Sequence, residues 1–459
     1  MSTLLWAPRA WLNGAWSSAV TLRADAAGRW AEVHADTACP PDAEVLSGAV
    51  IPAMINAHSH AFQRAFVGLS ERRDGARDDF WSWRDRMYAV ALRITPEQLH
   101  AVAAHLYSEL LAGGYTHTCE FHYLHHAEDG RPYSAHGGDD AAMSAALARA
   151  AQDTGMGLTI LPVLYQRAGF MQPALRADQR RFETDVARVM QLRDTVRGWA
   201  LPHVDAGVAI HSLRAATPEA MHELVRACAG DVAPIHLHIA EQTGEVDECL
   251  AATGLRPIEW LTREFALDAR WQLVHATHAT PSEIDAVAAS GAGVVLCPGT
   301  EANLGDGVCD LPRWLATSTP LSLGTDSHVT RSWPEEVRLL EYGQRLALRQ
   351  RNVSADPASH PDTAARLVGR CLTGGAAAVG QRRWGLAAGA RADLLLVNER
   401  DPALVGLPAS HLLDGLVFGA PAQPFARVMV AARWITPADS TESFASAMRT
   451  TWSSLAAAQ

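Results

Sequence analysis

Short apolar runs alternate with longer stretches of helical period through most of the chain, and that alternation predicts the architecture. Eight runs have the length and composition of strands: AVIPAMI (49–55), YTHTCEF (115–121), LTILPVLY (158–165), GVAIH (207–211), PIHLHIA (234–240), WQLVHA (271–276), GVVLC (293–297) and PLSLGTD (320–326). Between them the period changes. Thr95-Pro96-Glu97-Gln98 offers an N-cap, a proline at the first helical position and a glutamine that completes a capping box. Leu99, Val102, Leu106 and Leu110 follow at helical spacing until Gly113-Gly114 stops the helix. Strands separated by helices pair in parallel, and eight such units over about 280 residues match a closed (β/α)8 barrel better than an open sheet. The expected fold is α/β, a TIM-like barrel.

The two ends read differently. Residues 1–50 break into short mixed segments at LNGAW, DAAGRW and ACPPDAE, a pattern of antiparallel strands and turns. Similar segments return at 385–397 and 427–435. The chain is therefore expected to divide into 1–50, the first part of a small β-sandwich domain, 51–380, the barrel, and 381–459, the second part of that domain with a terminal helix.

Composition narrows the function. The formal charge is −11 with no polybasic run, which argues against a nucleic-acid partner. No apolar stretch reaches the roughly 18 residues of a membrane span, and MSTLLWAPRA lacks the features of a signal peptide, so a cytoplasmic location is expected. Seven scattered cysteines without a CxxC pair fit reduced thiols. The chain contains no lysine: all 39 of its basic residues are arginine. That excludes a Schiff base, a Walker lysine and a carbamylated lysine bridging two metals.

In a barrel of this type the chemistry sits at the C-terminal strand ends. There the sequence has His58-Ser59-His60 after the first strand, His211 after the fourth, and His238 with Glu241 after the fifth. His275 follows the sixth and Asp326 the eighth. The HxH pair alone is weak, because the chain has 20 histidines and His236/His238 repeats the spacing. On a strand, however, residues i and i+2 face one side, so His58 and His60 can address one ion. Three histidines, one aspartate and a water satisfy zinc, while Fe(II) and Mn(II) accept the same donors.

The whole constellation resembles the amidohydrolase superfamily, whose barrels carry HxH after strand 1, His after strands 5 and 6 and Asp after strand 8. The missing lysine and the motif His238-Ile239-Ala240-Glu241 resemble its mononuclear deaminase branch. Longer strings narrow the likeness to deiminases of a linear amidine: NAHSHAFQRAF, FWSWRDRMY, CEFHYLHH, HSLRA, HLHIAEQ, VHATHA, TEANLGDG and TDSHV, from about residue 48 to 345, with GxxADLLLV in the tail. The resemblance implies hydrolysis of N-formimino-L-glutamate to N-formyl-L-glutamate and ammonia, a step of histidine degradation, by a homodimer. It implies one zinc per chain held by His58, His60, His238 and Asp326, with Glu241, His275 and Asp326 catalytic. Two substrate carboxylates call for planar guanidiniums, here Arg84 and Arg214, with Gln63, Tyr123 and His211 adding hydrogen bonds. Phe80, Trp81 and Trp83 read as packing for their loop, and His278 as a loop or helix-start residue. Two alternatives stay open: a deaminase of a heterocycle such as guanine, and a catalytically silent barrel that binds a partner.

Overall fold

The computed structural model describes residues 3–73, 78–436 and 439–456. Strands β1 (Thr3–Leu12) and β2 (Ala15–Ala24) form an antiparallel hairpin. Its turn, Asn13-Gly14, has φ of 49° and 87°, and two left-handed residues in succession match the right-handed twist of the flanking strands. β3 (Trp30–His34), β4 (Glu44–Val45) and β5 (Val50–Ile51) follow. The barrel runs from β6 (Met54–Ser59) through β7 (Tyr115–His122), β8 (Gly157–Leu164), β9 (Val204–Ala206), β10 (Val208–Ser212), β11 (Ile235–Ile239), β12 (Trp271–His275) and β13 (Gly293–Leu296) to β14 (Leu321–Leu323). The chain then returns to the first sheet as β15 (Leu394–Val397), β16 (Phe425–Val430) and β17 (Arg433–Trp434).

All the barrel pairings are parallel, and β14 closes on β6 through Leu323 and Asn56. The expected eight strand positions are present, with the fourth shared by β9 and β10, which pair successive parts of β8. The break falls at Gly207, where a Cβ would meet the Pro234 carbonyl oxygen at 2.6 Å. Strand ends are crossed by helices such as Pro96–Ala112, whose N-terminus has the expected box: Gln98 N–H donates to Thr95 Oγ1 (3.3 Å) and Thr95 N–H to Gln98 Oε1 (2.9 Å).

One expected strand requires correction. AVIPAMI is two strands, because Pro52 has no N–H to continue a ladder. Val50 and Ile51 pair with Leu396 and Leu395 in the small sheet, and the barrel begins at Met54. By sheet membership, the junction between the two bodies lies at Pro52-Ala53.

The small sheet has eight strands in the order β17-β16-β15-β5-β1-β2-β3, with β4 beside β1. Leu5, Val20, Leu22, Trp30, Leu394 and Met429 fill a core separate from that of the barrel. It grips the barrel at the start of β7, opposite the strand ends that carry the chemistry. Asp393 accepts from Arg391, from Thr116 Oγ1 (2.6 Å) and from Ala431 N–H (2.9 Å), while Arg391 also donates to the Thr116 carbonyl (2.8 Å). The terminal helix Thr441–Ala456 packs on the helix Pro96–Ala112, where Phe444 stacks on His105 at 4.2 Å, and reaches the turn after β6, where Trp452 Nε1 donates to the Ala65 carbonyl at 3.0 Å.

Candidate active site

The site begins at the seam where the first and last barrel strands meet. Asp326 N–H donates to the His58 carbonyl (3.0 Å) and His60 N–H donates to the Asp326 carbonyl (3.2 Å), so main-chain bonds lock three polar side chains together. Gly324 lets the strands approach: a Cβ there would lie 2.6 Å from His58 Cβ and 2.9 Å from Cys297 Sγ. Beneath them Asn56 accepts from Thr325 N–H (2.9 Å) and donates to Thr325 Oγ1 (2.8 Å) and Thr118 Oγ1 (3.2 Å). Backbone strain gathers here too, with Asp326 at φ 48° and His275 at 69°.

The ring nitrogens converge. His58 Nε2 lies 3.2 Å from His60 Nε2 and 3.0 Å from His238 Nε2, and Asp326 Oδ1 is 3.4 Å from the first and 3.3 Å from the second. His60 Nδ1 donates to the Phe121 carbonyl (2.8 Å) and His238 Nδ1 to the His211 carbonyl (2.9 Å), which turns both Nε2 lone pairs inward. Burial lowers His58 to about 3 and lowers His60 and His238 as well, so the imidazoles are neutral. Burial opposes charge on Asp326, but His58 and His60 against its carboxylate hold it well below the usual range. A single proton on His58 Nε2 can serve only one of the two facing lone pairs, so one nitrogen contact is left without a hydrogen unless a cation lies between them. A tetrahedral ion with bonds of about 2.0–2.1 Å has donor-to-donor edges of about 3.3 Å, close to these four separations, and the donors fall into two groups able to hold a divalent ion, His58 with His60 and Asp326, and His58 with His238 and His275.

His275 and Glu241 stand beside that cluster. His275 Nε2 is 3.7 Å from both Asp326 Oδ2 and Glu241 Oε1, and its Nδ1 is 3.4 Å from Glu301 Oε1. Burial works against a charge on His275, yet Glu241, Cys297 and Glu301 hold it above the ordinary imidazole range. Burial, with Asp326 nearby, pushes Glu241 up to about 7.

The chamber above the cluster is lined by Gln63, Arg84, Tyr123, His211 and Arg214. The structure thus brings every sequence-selected residue to one place. Gln63 Nε2 donates to Tyr123 OH (3.1 Å), and Gln63 Oε1 is buried without a partner. Burial and Arg214 lower His211. Neither Arg84 nor Arg214 has an ion-pair partner among the described residues, and the Nε of each is buried without one, although Arg214 is only 6% exposed. Of the three aromatics read as loop packing, Phe80 and Trp83 line the chamber, and Trp81 lies under both arginines. His278 sits, as expected, in the turn before the helix Pro281–Ser290.

Several participants escaped the sequence reading. Glu120 accepts from Ser59 Oγ (2.7 Å), Tyr107 OH (3.4 Å) and Ala61 N–H, bracing the peptide on both sides of His60, and burial pushes it up to about 7. Glu301 accepts from Cys297 N–H (2.8 Å) as well as facing His275. Asp306 accepts from Gln242, and burial with Glu241 opposite pushes it up to about 9. An acid inside an otherwise buried strand, as in YTHTCEFH, was the available signal for Glu120.

Known proteins resemble this chain over most of its length. The chain is 45% identical to a formimidoylglutamate deiminase of Pseudomonas aeruginosa over 94% of each chain. A crystal structure of an amidohydrolase from Brucella melitensis superposes with a TM-score of 0.91 at 38% identity, covering 98% of this chain and all of that one. An adenosine deaminase from Xanthomonas campestris solved with bound zinc shares the fold at 21% identity, with a TM-score of 0.79 over 99% of this chain and 98% of the other. Residues 49–435 match the amidohydrolase family. With that match over most of its length, the chain belongs to the amidohydrolase family.

Proposed function

We propose that this hydrolase deiminates N-formimino-L-glutamate, giving N-formyl-L-glutamate and ammonia, as a step of histidine degradation. The observation that carries the reading is the pair of arginines, Arg84 and Arg214, which stand beside the imidazole and carboxylate cluster with no acid in ion-pair contact among the described residues, Glu245 and Glu241 acting on Arg214 only from farther off. A substrate with two carboxylates supplies the direct partners that both guanidiniums lack, and each guanidinium fork matches a carboxylate. The 45% identity to a formimidoylglutamate deiminase supports the same substrate.

In this reading His58, His60, His238 and Asp326 would hold one ion per chain, zinc by preference, with Fe2+ and Mn2+ accepting the same donors. Such an ion lowers the pKa of water toward about 7 and so makes hydroxide available at neutral pH. The protein's own groups do the rest. Asp326, held ionised, accepts a proton from the attacking water. Glu241, with a pKa raised to about 7, carries a proton to the departing nitrogen, without which the tetrahedral carbon would expel hydroxide and revert. His275 steadies the developing charge between Asp326 and Glu241. Gln63, Tyr123 and His211 orient the formimino group and its glutamate.

A heterocycle deaminase is the second reading, and the arginines count against it, since a neutral flat ring has no use for two unpaired guanidiniums. An ammonia-release assay decides: turnover of N-formimino-L-glutamate is expected, and turnover of guanine with none of the formimino compound would overturn the proposal. The reading extends to a homodimer in the cytoplasm. Among the described residues no helix is long and apolar enough to cross a membrane, and sedimentation tests the dimer.

A further inference from the structure

We propose that Trp81 sets the preference of this site for a dianion by holding Arg84 and Arg214 at a fixed spacing with their N–H groups free. The inference rests on the substrate reading above. The Arg84 guanidinium carbon lies 4.5 Å from the centre of the Trp81 ring, and that of Arg214 lies 5.3 Å from it. Two cations on one indole repel each other, and no acid lies within ion-pair distance of either among the described residues: Glu245 and Glu241 draw on Arg214 from farther off, and the centre of the Tyr88 ring lies 5.5 Å from the Arg84 guanidinium carbon. An aspartate or glutamate in the place of Trp81 would hold them, but it would also occupy the N–H groups a substrate needs. The negative face of the indole attracts both guanidiniums without consuming a single N–H.

Trp81 is itself held in place. It lies in the first turn of the helix Phe80–Ala91, where its backbone N–H donates to the capping Asp79 Oδ1 at 3.0 Å. Its ring passes 3.8 Å from the point where a Cβ on Gly244 would stand, in the first turn of the helix Thr243–Thr253 that follows β11. The indole therefore spans the connections after the first and fifth barrel strands.

The cavities agree with this role. The inner chamber beside the imidazoles holds about 50 Å³, well short of the roughly 300 Å³ at which small-molecule sites begin. An outer cavity of about 510 Å³ shares Arg84 and Arg214 with it, and Trp81 forms part of the outer wall. The formimino end enters the small chamber while the carboxylates rest where the two cavities meet, on the arginines that Trp81 spaces.

The test compares two inert probes on the metal-loaded protein by calorimetry: N-formyl-L-glutamate, with two carboxylates, and N-formyl-4-aminobutyrate, which lacks the α-carboxylate. Trp81→Leu should weaken the dianion about tenfold more than the monoanion, and Trp81→Phe, whose ring attracts cations less strongly, should lose an intermediate share of that selectivity, about threefold. Equal weakening of both probes, or none, would overturn the proposal. Should Trp81→Leu melt early, Trp81→Phe decides alone: a partial loss of selectivity supports the role, and a wild-type ratio removes it. Failure of the wild-type protein to bind either probe would instead bring down the substrate reading.

Discussion

Replacing Gly324 by alanine tests the claim that the seam between β14 and β6 sets the geometry of the ion site. The backbone at Gly324 is not in the left-handed region, so only space opposes a side chain. A Cβ would lie 2.6 Å from His58 Cβ, where ordinary contact begins at 3.4 Å, so the strands must part by about 0.8 Å. Overpacking of this kind costs about 1–3 kcal/mol, small enough for the protein to fold. The site is less tolerant. Asp326 Oδ1 now stands 3.3–3.4 Å from the His58 and His60 nitrogens, and an extra 0.8 Å or so takes it past the roughly 0.2 Å tolerance of metal–ligand distances. Competition against a chromogenic zinc chelator should show Gly324→Ala binding about 100-fold more weakly than wild type, with a melting temperature only modestly lower. Gly343→Ala is the control, since its Cβ would meet Val308 at an ordinary 3.7 Å. A Gly324→Ala protein that binds zinc and turns over like wild type would refute the argument.

Three further outcomes follow from the geometry. Glu241→Gln should abolish ammonia release while metal analysis still returns about one ion per chain; unchanged turnover removes Glu241 from the proton path, and two ions per chain contradict the argument from the absent lysine. Burial raises Glu120 from 4.5 to about 7, so the folded protein keeps a proton that the unfolded chain releases. The stability this group contributes is full below about pH 4.5 and is lost as pH rises through about 7, and urea titrations of wild type and Glu120→Gln should show their difference changing by about 3 kcal/mol across that window. A constant difference would mean that Glu120 keeps its charge in the fold. Asp393→Ala leaves the half-buried Arg391 without its acid and should cost about 2–3 kcal/mol in calorimetric stability, while ammonia release at low temperature stays near wild type because the active site is at the far end of the barrel.

Much of this site could be read from the chain because its chemistry is local in sequence: HxH, HxxE and a terminal aspartate each fall at the end of a recognisable apolar run. The arginines were reachable by asking what two carboxylates need. What escaped depends on contacts between distant segments. Glu120 looks like any strand acid until Ser59 and Ala61 are seen to point at it. Trp81 looks like loop packing until two arginines, one of them over a hundred residues away, settle on its face. The junction inside AVIPAMI was visible as Pro52, but which sheet would claim Val50 and Ile51 depended on Leu395 and Leu396, close to the other end of the chain.

The seam between β6 and β14 also has a bearing on how the protein is made. Residues 58 and 60 leave the ribosome early and residue 326 leaves late, and the main-chain bonds that bring them together join the first barrel strand to the last. No nascent chain can offer the proposed donor set before residue 326 has emerged, so an ion there would be loaded only once the last barrel strand can close on the first. An ion bound across that closure would act as a clasp, resisting the separation of the two strands where a parallel barrel would otherwise open.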